Sequence, residues 1–423
     1  MKSALRELTL RSPERLRLYH GMVFISLLRV VQLGMGLAAT YFLARSLSKD
    51  DFGEYHMVLN SVGMLTIFAL SGLNNSLMQA VARGYTGTYR ATVPIAFASS
   101  SIGGIVLLIM GAWYLMQGEE PMGGALCIAA ALFPFAHGLV QWKSIITGGE
   151  SFGQLLVHDG AISVITYGSI IGAVQLFPGN YVLPIVLTLA VPAFYNVVLT
   201  ATNFRQIPPR SPVEQQNVRY GIKTTVYSGL GAIGSNIDRV LLFWFLSPTA
   251  LAVFVAAGRL PDLLGGIMQD VSAVFAPRLA KHHSYTHRLD RIFRLLSLLY
   301  GVVIVLFAFT GMPFVVTFLF GDNYAEAIPY AQALACSVAV GNLANLRFRF
   351  IRSQIDARSF RDITLVSSTI RLVAFLVLVP PFGLVGAVIG TFIYRLALMG
   401  VVQLVIRRHY ASPQNHVSPK VTS

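Results

Sequence analysis

Apolar residues along this chain do not alternate with polar ones. They run in long blocks, each close to the ~20 residues a helix needs to cross a bilayer core. Twelve such windows recur, at 22–43, 55–76, 92–116, 122–146, 157–177, 181–201, 222–246, 250–274, 294–318, 327–350, 362–380 and 383–406. They are too long and too weakly alternating for the strands of a membrane barrel. The predicted fold class is therefore all-α: a polytopic membrane protein with 12 transmembrane helices in two six-helix lobes. The least membrane-like stretch, "NFRQIPPRSPVEQQNVRYG", separates the two sets of six. Its prolines, glutamines and charges mark a linker. The predicted organisation is a basic amphipathic N-terminus (1–21), an N-terminal lobe (22–202), the linker (203–221), a C-terminal lobe (222–408) and a tail (409–423).

The two halves share a register. At an offset of 199 residues, Leu47-Ser48 falls on Leu246-Ser247, Tyr55 on Phe254, and Ala80-Val81 on Leu279-Ala280. Six helices per half give both repeats the same orientation in the membrane, a parallel repeat of the kind transporters use, with the substrate path between lobes.

Composition sharpens the class. The chain is 55% hydrophobic and 12% charged, with a mean hydropathy of +0.64, against roughly 25% charged residues in soluble domains. Its net charge is +14. With the N-terminus inside, 25 of the 32 lysines and arginines fall in cytoplasmic segments, two (Arg45 and Lys49) lie outside, and five lie within spans. That bias places both termini in the cytoplasm. The charge reports topology and attraction to anionic lipid, so the Arg-Phe run "RFRFIRSQIDARSFRD" reads as headgroup contact, and no nucleic-acid partner is expected. The first apolar segment is too long for a cleaved signal, and the residues before it are expected to lie on the membrane surface. Cys127 and Cys336 both sit in apolar windows and read as small core residues. The loops are short, and no Walker loop, HExxH or GxSxG motif occurs. The expectation is a non-enzyme with no resident cofactor or metal. His283 and His287, four apart in a basic loop, read as surface residues.

Candidate chemistry lies inside the spans. In the first, Ser26, Arg29, Gln32, Gly36 and Thr40 fall along one side of a helix, a stripe that suits a cavity or a packing face. Asn60 in the second span joins the cavity-lining candidates. In the seventh, Ser228, Ser235, Asn236, Asp238 and Arg239 occupy the polar part of the helix. Asp238 and Arg239 are adjacent, so each is expected to pair across to another helix rather than with the other. In the eighth, Arg259 and Asp262 are three apart, close enough to pair, with Asp270 further along. Arg371 and Arg395 lie near the middle of the last two spans. Five intramembrane arginines face three aspartates there, and guanidinium suits phosphate and carboxylate. A path lined in this way prefers an anion. Asp238, Asp262 and Asp270 are the candidates for coupling to a proton or sodium gradient. His137 and the pair His158-Asp159 read first as packing residues.

Several motifs carry a family resemblance. "LARSLSKDDFGEYHMVLN", "NIDRVLLFWFLSPTALAVFVAAGRL" followed by "FAPRLAKH", "FGDNYAEAIPYAQALA" and "FGLVGAVIGTFIYRL" occur in order from about residue 20 to 408. Together they resemble the Wzx-type O-antigen flippases, the polysaccharide transporter branch of the multidrug/oligosaccharidyl-lipid/polysaccharide exporter superfamily. The resemblance implies a V-shaped, MATE-like fold and alternating access to a cationic cavity. It also implies an undecaprenyl-diphosphate-linked oligosaccharide as cargo, for O-antigen, capsule or exopolysaccharide. Arg29 and Arg259 become the leading contacts for the diphosphate or acidic sugars, with Arg239, Arg371 and Arg395 beside them. A glycan polymerase and a chain-length regulator are the expected partners, and a bacterial inner membrane the expected location. A lipid II-type flippase is the alternative. A cation-coupled drug antiporter fits less well, because Arg29 stands in the first span where those relatives place an acid. A membrane-embedded glycan polymerase or ligase is more remote, for want of a large catalytic loop.

Overall fold

The computed structural model describes residues 13–280, 287–353 and 357–409, with side chains for 23–225, 236–268 and most of 290–351 and 359–408. No strand occurs among the described residues. Each of the twelve apolar windows coincides with helix. We label them α1 (Pro13–Ser46), α2 (Lys49–Leu65 continued by Ser71–Ala82), α3 (Thr88–Met116) and α4 (Glu120–Phe133 with Trp142–Gly148). Next come α5 (Phe152–Leu176), α6 (Val182–Gln206), α7 (Gln215–Phe245) and α8 (Pro248–Ala280). Then follow α9 (His287–Thr310 with Met312–Phe320) and α10 (Ala327–Ser353). The last stretch, Ala357–His409, contains two helices, α11 and α12, joined at Gly383. Among the described residues, nine helices meet the length and hydropathy needed to cross a membrane, or ten if the bent α2 counts as one span. One of the nine, Arg361–Arg408, runs 48 residues. At ~1.5 Å per residue that is more than twice a ~30 Å bilayer core, and the break at Gly383 divides it into two.

The breaks have local causes. α2 bends by 47° around Leu70, which sits at φ 52° in the left-handed region. Between α11 and α12, Pro380 and Pro381 withdraw two backbone donors, and Gly383 takes φ 57°, ψ −134°, open only to glycine. In α4, Pro134 opens a π turn over Pro134–Gly138. Its loosened carbonyls cannot reach water within a bilayer, and α6 satisfies them. Asn196 Nδ2 donates to the carbonyls of Phe135 and Ala136 at 3.3 and 2.9 Å, and its Oδ1 accepts from the Trp142 indole at 2.8 Å. Thr200 Oγ1 donates to the Leu139 carbonyl.

Two compact units result, Met1–Ala232 and Ile233–Ser423, so the chain passes from one to the other within α7. In the first, α1 packs on α5, α3 on α4, and α6 on α4 and α5. The 203–221 segment belongs to this unit and is held closely. Arg90 donates from Nε to the Ile207 carbonyl at 2.8 Å and from Nη2 to that of Phe204. Arg83 pairs with Glu214 at 2.8 Å, and Asn217 donates to the Ser76 carbonyl. Glycine allows the start of α7 to lie against α2. A Cβ on Gly72 would fall 2.5 Å from the Thr225 nitrogen, and the Gly72 N–H donates to Thr225 Oγ1 at 3.1 Å. In the second unit α10 is central, packing on α8, on α9 and on the α11–α12 pair.

Candidate functional site

The second unit carries an open cavity of about 430 Å³, within the range of small-molecule sites. Five helices line it at helical spacing. α7 contributes Asn236 and Arg239, and α8 Pro261, Asp262 and Gly265. α10 contributes Val338, Gly341 and Asn345, α11 Arg371, and α12 Thr391, Tyr394, Arg395 and Leu398. Three of the five intramembrane arginines therefore converge on one space.

Their electrostatic states differ. Arg371 Nη2 donates to Asp238 Oδ2 across α11 and α7, and its guanidinium lies over the Tyr394 ring, 5.1 Å from the centroid. Asp238 is only 3% exposed, and its Oδ1 also accepts the Arg239 N–H at 3.0 Å. A buried carboxylate and guanidinium in this position must neutralise each other, since either alone would be a desolvated charge. Arg371 keeps one spare donor, a buried Nε with no hydrogen bond among the described residues. Arg239 Nη2 reaches Asp262 Oδ2 at 3.0 Å, but these side chains are 31% and 55% exposed, so the pair is wet and weak. Arg395 has neither an ion pair nor a hydrogen bond among the described residues. Its stem passes so close to α10 that a Cβ on Gly341 would sit 3.1 Å from Cδ. Three arginines against two aspartates leave one positive charge in excess, shared by Arg239 and Arg395 around Asp262. The cavity can hold an anion by charge, by forked donors, and by the Asn236, Asn345, Thr391 and Tyr394 polar groups around them.

The expected cross-helix pairing of Asp238 and Arg239 is present, while the Arg259–Asp262 pairing is not. Asp262 turns to Arg239 on α7 instead. Arg259 does not line the cavity, and its Nε is buried without a hydrogen bond among the described residues. Ser228, Ser235 and Asp270 have side chains outside the described residues. So do the residues around His283 and His287, the N-terminal 1–12 and the tail beyond His409.

In the first unit the stripe on α1 divides. Ser26 and Arg29 are exposed on the helix, whereas Gly36 is buried and Thr40 Oγ1 bonds back to the Gly36 carbonyl at 2.8 Å. Gln32 Nε2 donates to Asp159 Oδ2 and Ser163 Oγ on α5, both at 3.3 Å. Asp159 in turn takes Lys143 at 2.5 Å. This α1–α4–α5 network was not visible in the sequence, where Lys143 counts as a loop cation and Asp159 as a helix end. Asn60 is buried and donates to its own helix, to the His56 carbonyl at 2.6 Å. His137 lies in the π turn against Phe133, and His158 against Trp142. The unpredicted lining residues Thr391, Tyr394 and Leu398 had a signal: with Arg395 they stand at i, i+3, i+4 and i+7 on α12.

Among the described residues the chain is all-helical and multi-pass, with a charged cavity in its second unit, the architecture of a membrane transporter. The comparisons place it further. The polysaccharide biosynthesis protein family matches residues 42–329, and the chain belongs to that family. No curated protein matches the sequence. Among solved structures, the lipid II flippase MurJ in an inward closed conformation superposes with a TM-score of 0.70 at 10% identity, over 91% of this chain and 87% of that one. An inward-facing multidrug resistance MATE transporter of the MOP superfamily gives 0.63 at 12% identity, over 92% and 96%. A MOP superfamily transporter from Pyrococcus furiosus, described as having a binding pocket of reversed polarity, gives 0.60 at 14%, over 93% and 95%. At these identities the likeness is one of fold, and it spans nearly the whole chain.

Proposed function

We propose that this protein is a flippase that carries a lipid-linked oligosaccharide, joined to its polyprenol by a diphosphate, across a bacterial inner membrane during polysaccharide biosynthesis. The observation that carries the reading is the convergence of Arg239, Arg371 and Arg395 on one cavity inside a membrane unit, in a chain of the polysaccharide biosynthesis family. Guanidinium groups suit a phosphate by charge and by forked donors, and the neighbouring amides, hydroxyl and phenol suit the hydroxyls of a sugar. The polyprenyl tail stays in lipid while alternating access moves the headgroup. No bond is made or broken.

A gradient-coupled return remains part of the proposal, and Asp238 is the poorest coupling candidate. Arg371 already fills the place an exchanging proton or sodium ion would take, whereas Asp262 is open to the cavity. Deleting the gene should abolish surface polysaccharide and leave lipid-linked repeat units in the inner leaflet, measured by lipid extraction and mass spectrometry. An Arg395→Gln protein, expressed at the normal level, should fail to restore export. Accumulation of lipid II instead would assign the alternative cargo. Unchanged surface glycan in the deletion strain would overturn the reading.

A further inference from the structure

We propose that Asp262 is a built-in competitor for the cavity's anion. It holds Arg239 until an incoming diphosphate takes its place, and thereby sets how readily the ligand is released. The inference rests on the reading of the cavity as the headgroup site of a transporter. It follows from the unequal commitments of the three arginines. Arg371 is tied to Asp238, which is 3% exposed and cannot be left alone without stranding a buried charge. Arg395 forms no ion pair among the described residues, although Asp262 lies near enough to act on its charge. Arg239 lies between these extremes, paired at 3.0 Å with a carboxylate that is 55% exposed.

A diphosphate linking a prenol to a sugar carries two negative charges at neutral pH. The cavity offers one positive charge in excess, so the first charge is met by Arg395, which holds no ion pair among the described residues. The second is met at least cost by Arg239, because the carboxylate it leaves behind is already wet and needs no new partner. Asp238 cannot be exchanged in this way. Asp262 projects from α8 beside Pro261 and Gly265, both of which also line the cavity, and its charge reaches Arg371 and Arg395 as well as Arg239. A site for a transported ligand must bind well enough to load and weakly enough to unload, and an internal carboxylate on the same arginine supplies that balance.

The test uses the full chain purified in detergent, with inorganic pyrophosphate and farnesyl diphosphate as probes in equilibrium binding. Asp262→Asn removes the competitor while keeping the shape. Both probes should bind about three- to fivefold tighter, the range expected from releasing an exposed ion pair, and should dissociate more slowly. Asp262→Glu should return the affinity towards the wild-type value, which a merely structural role for the side chain would not require. Arg239→Gln should make the Asp262→Asn gain disappear. Equal or weaker binding by Asp262→Asn overturns the inference while leaving the anion site intact. If neither probe binds the wild-type protein, the anion reading itself fails and the competitor with it. A gain for inorganic pyrophosphate alone keeps the exchange but overturns a lipid-linked cargo.

Discussion

Asp238 and Asp262 are both partners of arginines in one cavity, yet burial gives them opposite characters. Asp238, with Arg371 on one oxygen and the Arg239 N–H on the other, is structural. Asp238→Asn should cost roughly 3–5 kcal/mol by leaving a guanidinium unpaired in the helix core, seen as a lower melting temperature of the detergent-solubilised protein. Replacing both partners at once, Asp238→Leu with Arg371→Leu, should recover most of that loss, since two matched apolar groups need no partner. Arg29 is different again, exposed on α1. If it guides the headgroup, Arg29→Ala and Arg29→Lys should both reduce surface polysaccharide at unchanged expression, because an ammonium cannot reproduce the fork. Normal export by Arg29→Ala would leave it a snorkelling residue. The sequence listed the cavity's arginines but could not order them. Which carboxylate each one meets depends on the distance between helices, and the pairing of Asp262 with Arg239 rather than Arg259 is a fact of that distance.

The apolar windows located the twelve elements because a bilayer core demands long apolar helices whatever their packing. They did not reveal the interruptions. The π turn of α4 is marked in sequence only by Pro134, and its stability is written in another helix, where Asn196 serves three groups at once. Asn196→Leu should therefore strip two carbonyls and an indole of their partners, lowering stability by roughly 2–4 kcal/mol in thermal unfolding. An equally polar residue elsewhere on α6 that bonds only its own helix, such as Thr188 to the Pro184 carbonyl, should be replaceable by valine at little cost. Period alone grouped Ser26, Arg29, Gln32, Gly36 and Thr40 as one stripe. Packing divides them, since Gln32 meets α5 while Arg29 and Ser26 remain outside.

For the whole molecule, the lysine and arginine bias predicts both termini in the cytoplasm, which reporter fusions at either end would check. The stretch read as a linker from its prolines and glutamines is bound along its length to the first unit, through Arg83, Arg90, Asn217 and the close approach of Gly72 to the Gly221 carbonyl. Tethering it there should therefore leave transport intact. In a chain with Cys127 and Cys336 replaced by alanine, Arg83→Cys and Glu214→Cys joined by a short bifunctional thiol reagent should still export polysaccharide. Loss of export on cross-linking would mean that the segment must detach during the cycle.

The sequence by itself determined the class and the order of the apolar helices, and it set the expectation of two six-helix lobes and an anionic ligand. These depend on local hydrophobic content and on totals of charge, which need no knowledge of neighbours. Only the tertiary structure decided which three arginines share a space, which of them is already neutralised, where helix breaks are repaired and how the 203–221 segment is held. Those are properties of residues dozens to more than a hundred positions apart. Helical periodicity says which side of a helix a group occupies, but not which helix stands opposite.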